Sequence, residues 1–167
     1  MKNITIIGTQ GVPANYGGFE SLVENIIGEN KSPNINYTVF CSSKDLLQQI
    51  SEYKGAKLKY IPLSANGVQS IPYDMLSLLK VPNETDVILI LGVSGSLILP
   101  FFRLFSKKKL VVNIDGLEHR RDKWGKVARW FVSCVVTYLP QLSPLNATLP
   151  VSWICTGTIP PLKHASQ

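Results

Sequence analysis

The sequence predicts an α/β fold: a Rossmann-like, mainly parallel sheet with helices on both faces. Three observations lead there. Short apolar or alternating runs recur along the 167 residues, each closed by glycine, proline or a charged loop. Helical or connecting segments alternate with them, and the first carries a clear helical period. The loops after three of the runs are rich in Gly, Ser and charge, as the carboxyl edge of a doubly wound sheet requires.

The elements follow in order. Residues 4–7, Ile-Thr-Ile-Ile, form a short apolar run ending at Gly8, a buried first strand. After a Gly- and Pro-rich loop, Phe19, Leu22, Val23, Ile26 and Ile27 fall at i, i+3, i+4, i+7 and i+8, one apolar face of a helix. Glu20 and Glu24 stand toward its start, where the helix dipole favours anions. Residues 37–40 read as the second strand. Residues 57–61 alternate and read as a third, stopped by Pro62. A helix is expected over 73–79. Residues 86–91 are an apolar strand closed by Gly92, the pattern of a central parallel strand. Residues 97–105 read as helix or loop, and 110–114 as a further buried strand running into Asp115-Gly116.

Composition sets the class. Hydrophobic residues make up 45% and charged residues 17%, which fits one globular domain with a sizeable core and excludes a disordered chain. Cys41, Cys134 and Cys155 form no metal-ligand pattern, and an odd, sparse set fits a reducing cytoplasm. The N-terminus shows no signal-peptide pattern, and no apolar run reaches the roughly 18–20 residues of a membrane-spanning helix.

The net charge of +6 is uneven. Residues 1–100 hold 7 basic and 8 acidic side chains, residues 101–131 hold 9 and 3, and the remainder holds one lysine. The positive field therefore belongs to one segment, which also carries Trp124, Trp130 and Phe131. An anionic membrane or a phosphorylated substrate could use it, and a solvated face beside a loop is the alternative. Nucleic acid is not expected as a partner, because no recognition motif accompanies the basic stretch. From Val132 to Leu162 there is no Asp, Glu, Lys or Arg, and five prolines interrupt the run. The chain is accordingly divided into a domain over 1–131 and an uncharged, Pro-rich tail over 132–167. Beyond Pro140 no helix period or clean strand alternation is visible, and a truncated or out-of-frame end is expected.

Three motifs carry candidate chemistry. The first is the loop Gly8-Thr9-Gln10-Gly11 through Tyr16-Gly17-Gly18, opening the helix that holds Glu20. Glycines let backbone approach a ligand, and a helix N-terminus offers unpaired N–H groups to phosphate. The loop matches neither a strict dinucleotide fingerprint nor a Walker A loop, and a tight strand-to-helix turn is the alternative use of its glycines. The second is Gly92-Val93-Ser94-Gly95-Ser96, whose Gly92 and Ser94 would line the same cleft or simply make a turn. The third follows the strand at 110–114: Asp115, Gly116, Glu118, His119, Arg120 and Arg121. Asp115 or His119 there could orient a sugar hydroxyl or act as base, and the arginines could meet phosphate. A charged surface loop is the alternative. No metal site is visible.

Residues 7–20, Ile-Gly-Thr-Gln-Gly-Val-Pro-Ala-Asn-Tyr-Gly-Gly-Phe-Glu, resemble the opening of bacterial rhamnosyltransferase-like GT-B enzymes of the family 4 type. Residues 111–119, Val-Val-Asn-Ile-Asp-Gly-Leu-Glu-His, with Lys-Trp-Gly at 123–125, are similar to their second signature. Such enzymes build capsule, exopolysaccharide or O-antigen. The resemblance covers residues 1 to about 131. It implies the N-terminal half of a GT-B fold, with Gly11, Gly17 and Gly18 facing the interdomain cleft near the donor diphosphate and acceptor. It also implies that Asp115 and Gly116 stand where related enzymes often carry a histidine that contacts the sugar, with His119 four residues on. The donor would be a nucleotide-diphosphate sugar, rhamnose being the sugar suggested. The acceptor would be a lipid-linked saccharide at the cytoplasmic face of the membrane, and no other cofactor is implied. The paired-glutamate motif of the second domain is not found after Glu118, so the chain is expected to be a fragment, inactive alone. Two other classes remain: a non-catalytic acceptor- or membrane-binding module, and a nucleotide-dependent oxidoreductase or epimerase. Against the last, Cys41-Ser42-Ser43 stands where a ribose-binding carboxylate is expected.

Overall fold

The computed structural model of the protein describes residues 1–15, 17–92, 99, 102, 106, 108–114 and 151–155. Among the described residues seven strands join in one sheet: β1 (Lys2–Ile7), β2 (Ile35–Ser42), β3 (Glu52–Tyr53), β4 (Ala56–Ile61), β5 (Val87–Leu91), β6 (Lys109–Ile114) and β7 (Val151–Cys155). Their order is β3-β4-β2-β1-β5-β6-β7. Every neighbouring pair is parallel except β3 with β4. With the two-residue β3 set aside, the parallel strands counted along the chain run 3-2-1-4-5-6, the doubly wound Rossmann order. Strand order reverses between β1 and β5, and ligands of such sheets lie outside the carboxyl ends at that point.

The expected strands all appear: those at 4–7, 37–40, 57–61 and 110–114 are longer than their apolar runs by one or two residues at an end, and that at 86–91 begins one residue later, at Val87. Two segments correct the sequence reading. Glu52–Tyr53 pairs antiparallel with β4 across the two-residue turn Lys54-Gly55, where both residues have positive φ. Such a turn matches the twist of a tight hairpin, and a strand this short has no periodicity to read. Val151–Cys155, in the tail where no strand was expected, pairs parallel with β6 from Leu110↔Val151 to Ile114↔Cys155. Its Val, Trp and Ile suit a strand, but a short run among prolines shows no alternation.

Helices cover both faces. Helix α1 (Gly18–Gly28) packs Val23 and Ile27 onto Ile6, Val39, Cys41, Leu58 and Leu91. Helix α2 (Ser70–Leu79) packs Tyr73 and Leu78 with Ile7, Phe40, Ile61, Ile88, Ile90, Leu110 and Val112. On β1, β2, β4 and β5 the residues of the two sets lie an odd number of positions apart, as the alternation of side chains across a sheet demands. Leu99, of helical backbone and fully buried, joins the second set. Helix α2 begins three residues before the expected Tyr73, after a 3-10 turn at Gly67–Gln69. Pro72 is accommodated because first-turn N–H groups have no intrahelical partner.

Candidate functional site

The carboxyl ends of β1 and β5 meet closely. A Cβ added to Gly8, just after β1, would overlap the carbonyl of Leu91 at the end of β5, so only glycine allows this approach. Gly92 follows, and its N–H donates to the carbonyl of Asn113 near the end of β6 at 2.9 Å. Gly92 and the first loop thus share the carboxyl edge at the reversal of strand order.

The first loop is fastened from three sides. From above, Glu20 in the first turn of α1 is 93% buried by its 7% exposure, and its Oε1 accepts the Thr9 hydroxyl at 3.1 Å and the Gln10 N–H at 3.0 Å. Thr9 Oγ1 in turn accepts the Gly11 N–H at 3.2 Å. From β2, the Ser42 N–H donates to the Gln10 carbonyl at 2.8 Å. From the opposite face of the sheet, the buried Tyr73 hydroxyl donates to the Thr9 carbonyl at 2.9 Å. Burial holds the Tyr73 phenol well above its ordinary pKa, so it remains the donor. The Val12–Pro13 peptide is cis, and beyond it the Ala14 N–H donates to Glu24 Oε2 at 2.9 Å.

The candidate glycines divide by what their missing side chains face. Gly11 has φ +125, and a Cβ there would lie 2.7 Å from Cys41 and Leu46 inside the protein. Gly17 has φ +120, and its Cβ would overlap Glu20 Oε2. Among the described residues nothing lies within 4 Å of a Cβ on Gly18. Gly11 and Gly17 therefore let the loop pack against its own scaffold, while Gly18 presents bare backbone at the first residue of α1. N–H groups in the first turn have no intrahelical carbonyl; Gly17 is the N-cap and supplies no side-chain bond.

The end of β2 is engaged as well. Ser42 Oγ donates to the Leu63 carbonyl at 2.7 Å and Ser43 Oγ to the Ile61 carbonyl at 3.3 Å. Asp45 accepts the Ser64 hydroxyl at 2.9 Å and the Ala65 N–H at 2.9 Å. Cys41 is buried beneath Gly11, and burial pushes its thiol up to about 11.

Of the sequence-derived candidates, Gly11, Gly17, Gly18, Glu20 and Gly92 come to this one edge. Tyr16, Ser94, Asp115, Gly116, Glu118, His119, Arg120 and Arg121 lie outside the described residues, as does most of the basic segment. Sequence reasoning missed Tyr73, Ser42 and the buried role of Glu20. The usable signal was Gly17 followed three residues later by Glu20, the spacing at which an acid reaches back over its own N-cap. Among the described residues no group of three His, Cys, Asp or Glu side chains converges as a metal site would need. Among them too, no helix is long and apolar enough to cross a membrane.

Residues 1–142 match the family described as "Domain of unknown function (DUF1972)", and the chain belongs to that family. No curated protein matches it.

Proposed function

We propose that this DUF1972 chain is the N-terminal, Rossmann-like wall of a GT-B glycosyltransferase. It would move a sugar from a nucleotide-diphosphate donor to a lipid-linked saccharide in surface-polysaccharide synthesis. The observation that carries the reading is the position of the glycine loop. It lies at the reversal between β1 and β5, with no described residue against a Cβ on Gly18 and the rest of the loop tied down. The first-turn N–H groups of α1 are then the donors a diphosphate would meet. The resemblance of residues 7–20 and 111–119 to rhamnosyltransferase-like enzymes supplies the sugar chemistry.

In this proposal Glu20 serves the ligand indirectly, by shaping the loop. Asp115 and His119, which follow β6 in the chain, are the candidates for contact with the transferred sugar, and Arg120 and Arg121 for phosphate. Ser94 and Tyr16 would add polar contacts, and Gly116 and Glu118 belong to the same stretch. A GT-B reaction needs a second wall to complete the donor site, so turnover is assigned to the two walls together. The basic residues of 101–131 would hold the enzyme at an anionic inner membrane face.

The competing oxidoreductase reading is weakened by the end of β2. A dinucleotide's adenosine ribose lies beside that strand end and takes a carboxylate from it. Here the Gln10–Ser42 bond and the packing of Gly11 on Cys41 and Leu46 fill the gap between loop and strand. Asp45 is occupied with Ser64 and Ala65. The test is equilibrium binding of UDP, dTDP, dTDP-rhamnose and NAD⁺ to the purified chain. The proposal expects nucleoside diphosphates and their sugars to bind more tightly than NAD⁺; preferential NAD⁺ binding overturns it.

A further inference from the structure

Glu20 and Glu24 stand one helical turn apart on α1, and both reach back to the first loop. They are held differently. Glu20 is enclosed. Glu24 Oε2 accepts the Ala14 N–H at 2.9 Å, and its Oε1 accepts the Tyr53 hydroxyl at 2.7 Å and the Lys54 ammonium at 2.8 Å. Both partners come from the β3–β4 hairpin at the far edge of the sheet.

Lys54 makes this contact from an unusual backbone. Its φ of 47 lies in the left-handed region, which Gly or Asn occupies more readily. Its stem runs beside Gly28, where a Cβ would sit 3.5 Å from Lys54 Cδ and Nζ. The ammonium also stands 5.4 Å from the centroid of the Tyr53 ring. The hairpin turn thus directs two side chains onto one oxygen of Glu24, and this leaves the other oxygen aimed at the loop.

We infer that Glu24, Tyr53 and Lys54 form a latch through which the β3–β4 hairpin positions the first loop, making Glu24 a positioning residue for the Gly17–Gly18 end. The ligand part of the inference rests on the reading that Gly17 and Gly18 meet a nucleotide diphosphate. Without Lys54 and Tyr53, the Glu24 carboxylate is free to turn to water, and Ala14 loses its acceptor. A loop that must be ordered by its ligand binds more weakly than one already in place, by the fraction of time it is out of place.

The experiment uses the full 167-residue chain as wild type, Lys54→Met, Lys54→Arg, Lys54→Met/Tyr53→Phe and Glu24→Ala. Amide exchange over residues 12–15 is read without ligand, and UDP affinity and thermal midpoint are read beside it. Lys54→Met touches no atom of the loop, so a merely structural surface lysine leaves Ala14 unaffected. The latch predicts about fivefold faster exchange at Ala14 in Lys54→Met, more in the double variant, and recovery in Lys54→Arg, with the midpoint nearly constant. UDP binding weakens by a similar factor. Wild-type exchange in the double variant, with fast exchange in Glu24→Ala, overturns the latch, because Glu24 then acts without the hairpin. Exchange that follows the latch in a chain that does not bind UDP supports the latch and sinks the diphosphate reading of Gly17–Gly18.

Discussion

Thr9 and Glu20 are joined by a hydrogen bond of 3.1 Å that closes the first loop over the start of α1, and the same glutamate oxygen takes the Gln10 N–H. The loop is therefore built around a buried carboxylate. Removing that carboxylate leaves a buried hydroxyl and a backbone N–H without their acceptor, and bonds to a charged acceptor are the costly ones to lose. Glu20→Ala is expected to lower unfolding free energy by about 2–3 kcal/mol, read by urea titration. Glu20→Gln keeps one acceptor oxygen and should recover part of the loss. An effect of Glu20→Ala below about 0.5 kcal/mol would mean that the loop does not depend on this bond.

The glycines separate packing from exposure. Gly11→Ala forces a side chain into the left-handed region and against Cys41 and Leu46. A loss of about 2 kcal/mol or more is expected. Gly18→Ala meets no described residue, stands in helix α1, and should be neutral or stabilising by up to about 1 kcal/mol. The same Gly18→Ala change should still weaken nucleotide binding by placing a methyl group where a ligand would approach. Thermal midpoints and UDP affinities of the two variants check both halves.

Glu24 carries a pH dependence whose sign is fixed. The Lys54 and Tyr53 bonds, with the Ala14 N–H, lower its carboxyl from the ordinary 4.5 to about 2. A folded-state value below the unfolded one adds stability that is complete above about pH 5 and is lost as pH falls toward 2. The Lys54 and Glu24 side chains are 43% and 23% exposed, so solvent screens the pair and its contribution is small. The stability gap between wild type and Glu24→Gln should thus narrow between pH 6 and pH 3, as followed by urea unfolding at each pH. A gap that widens on acidification would contradict the assignment.

Cys41 should be inert in the folded protein. Its thiol is buried and raised to about 11, so only about one part in a thousand is thiolate at pH 8. Alkylation by iodoacetamide, mapped to the Cys41 peptide, should begin only when urea unfolds the chain. Rapid native labelling would place Cys41 at an open surface and contradict the packing of Gly11 upon it.

The sheet was legible because its parallel strands are apolar runs punctuated by glycine and proline, and Ile6 and Ile7 must then face opposite layers. The Glu52–Tyr53 strand was not, because two residues carry no period and the turn at Lys54 depends on a left-handed lysine. Val151–Cys155 was hidden by its proline-rich, uncharged setting, and it becomes a strand through its pairing with β6. At the site, the glycines marked the loop but not its inner bonds. Tyr73 reaches Thr9 from the opposite face, 64 positions along the chain, a contact that only the crossover topology creates. In the sequence Glu20 and Glu24 are partners of the helix dipole, with Glu20 also a candidate for substrate contact; the structure turns both back onto the loop.

The proposed nucleotide-diphosphate site lies at the reversal between β1 and β5. The most direct measurement is amide-exchange protection of the whole chain on adding saturating UDP or dTDP-rhamnose. Protection is expected at Gly17 to Glu20 and at Gly92, with the amide of Ser42 and the residues of the β3–β4 hairpin unchanged. Protection centred on the end of β2, or on the opposite edge around Asn3 and Asp86, would contradict it.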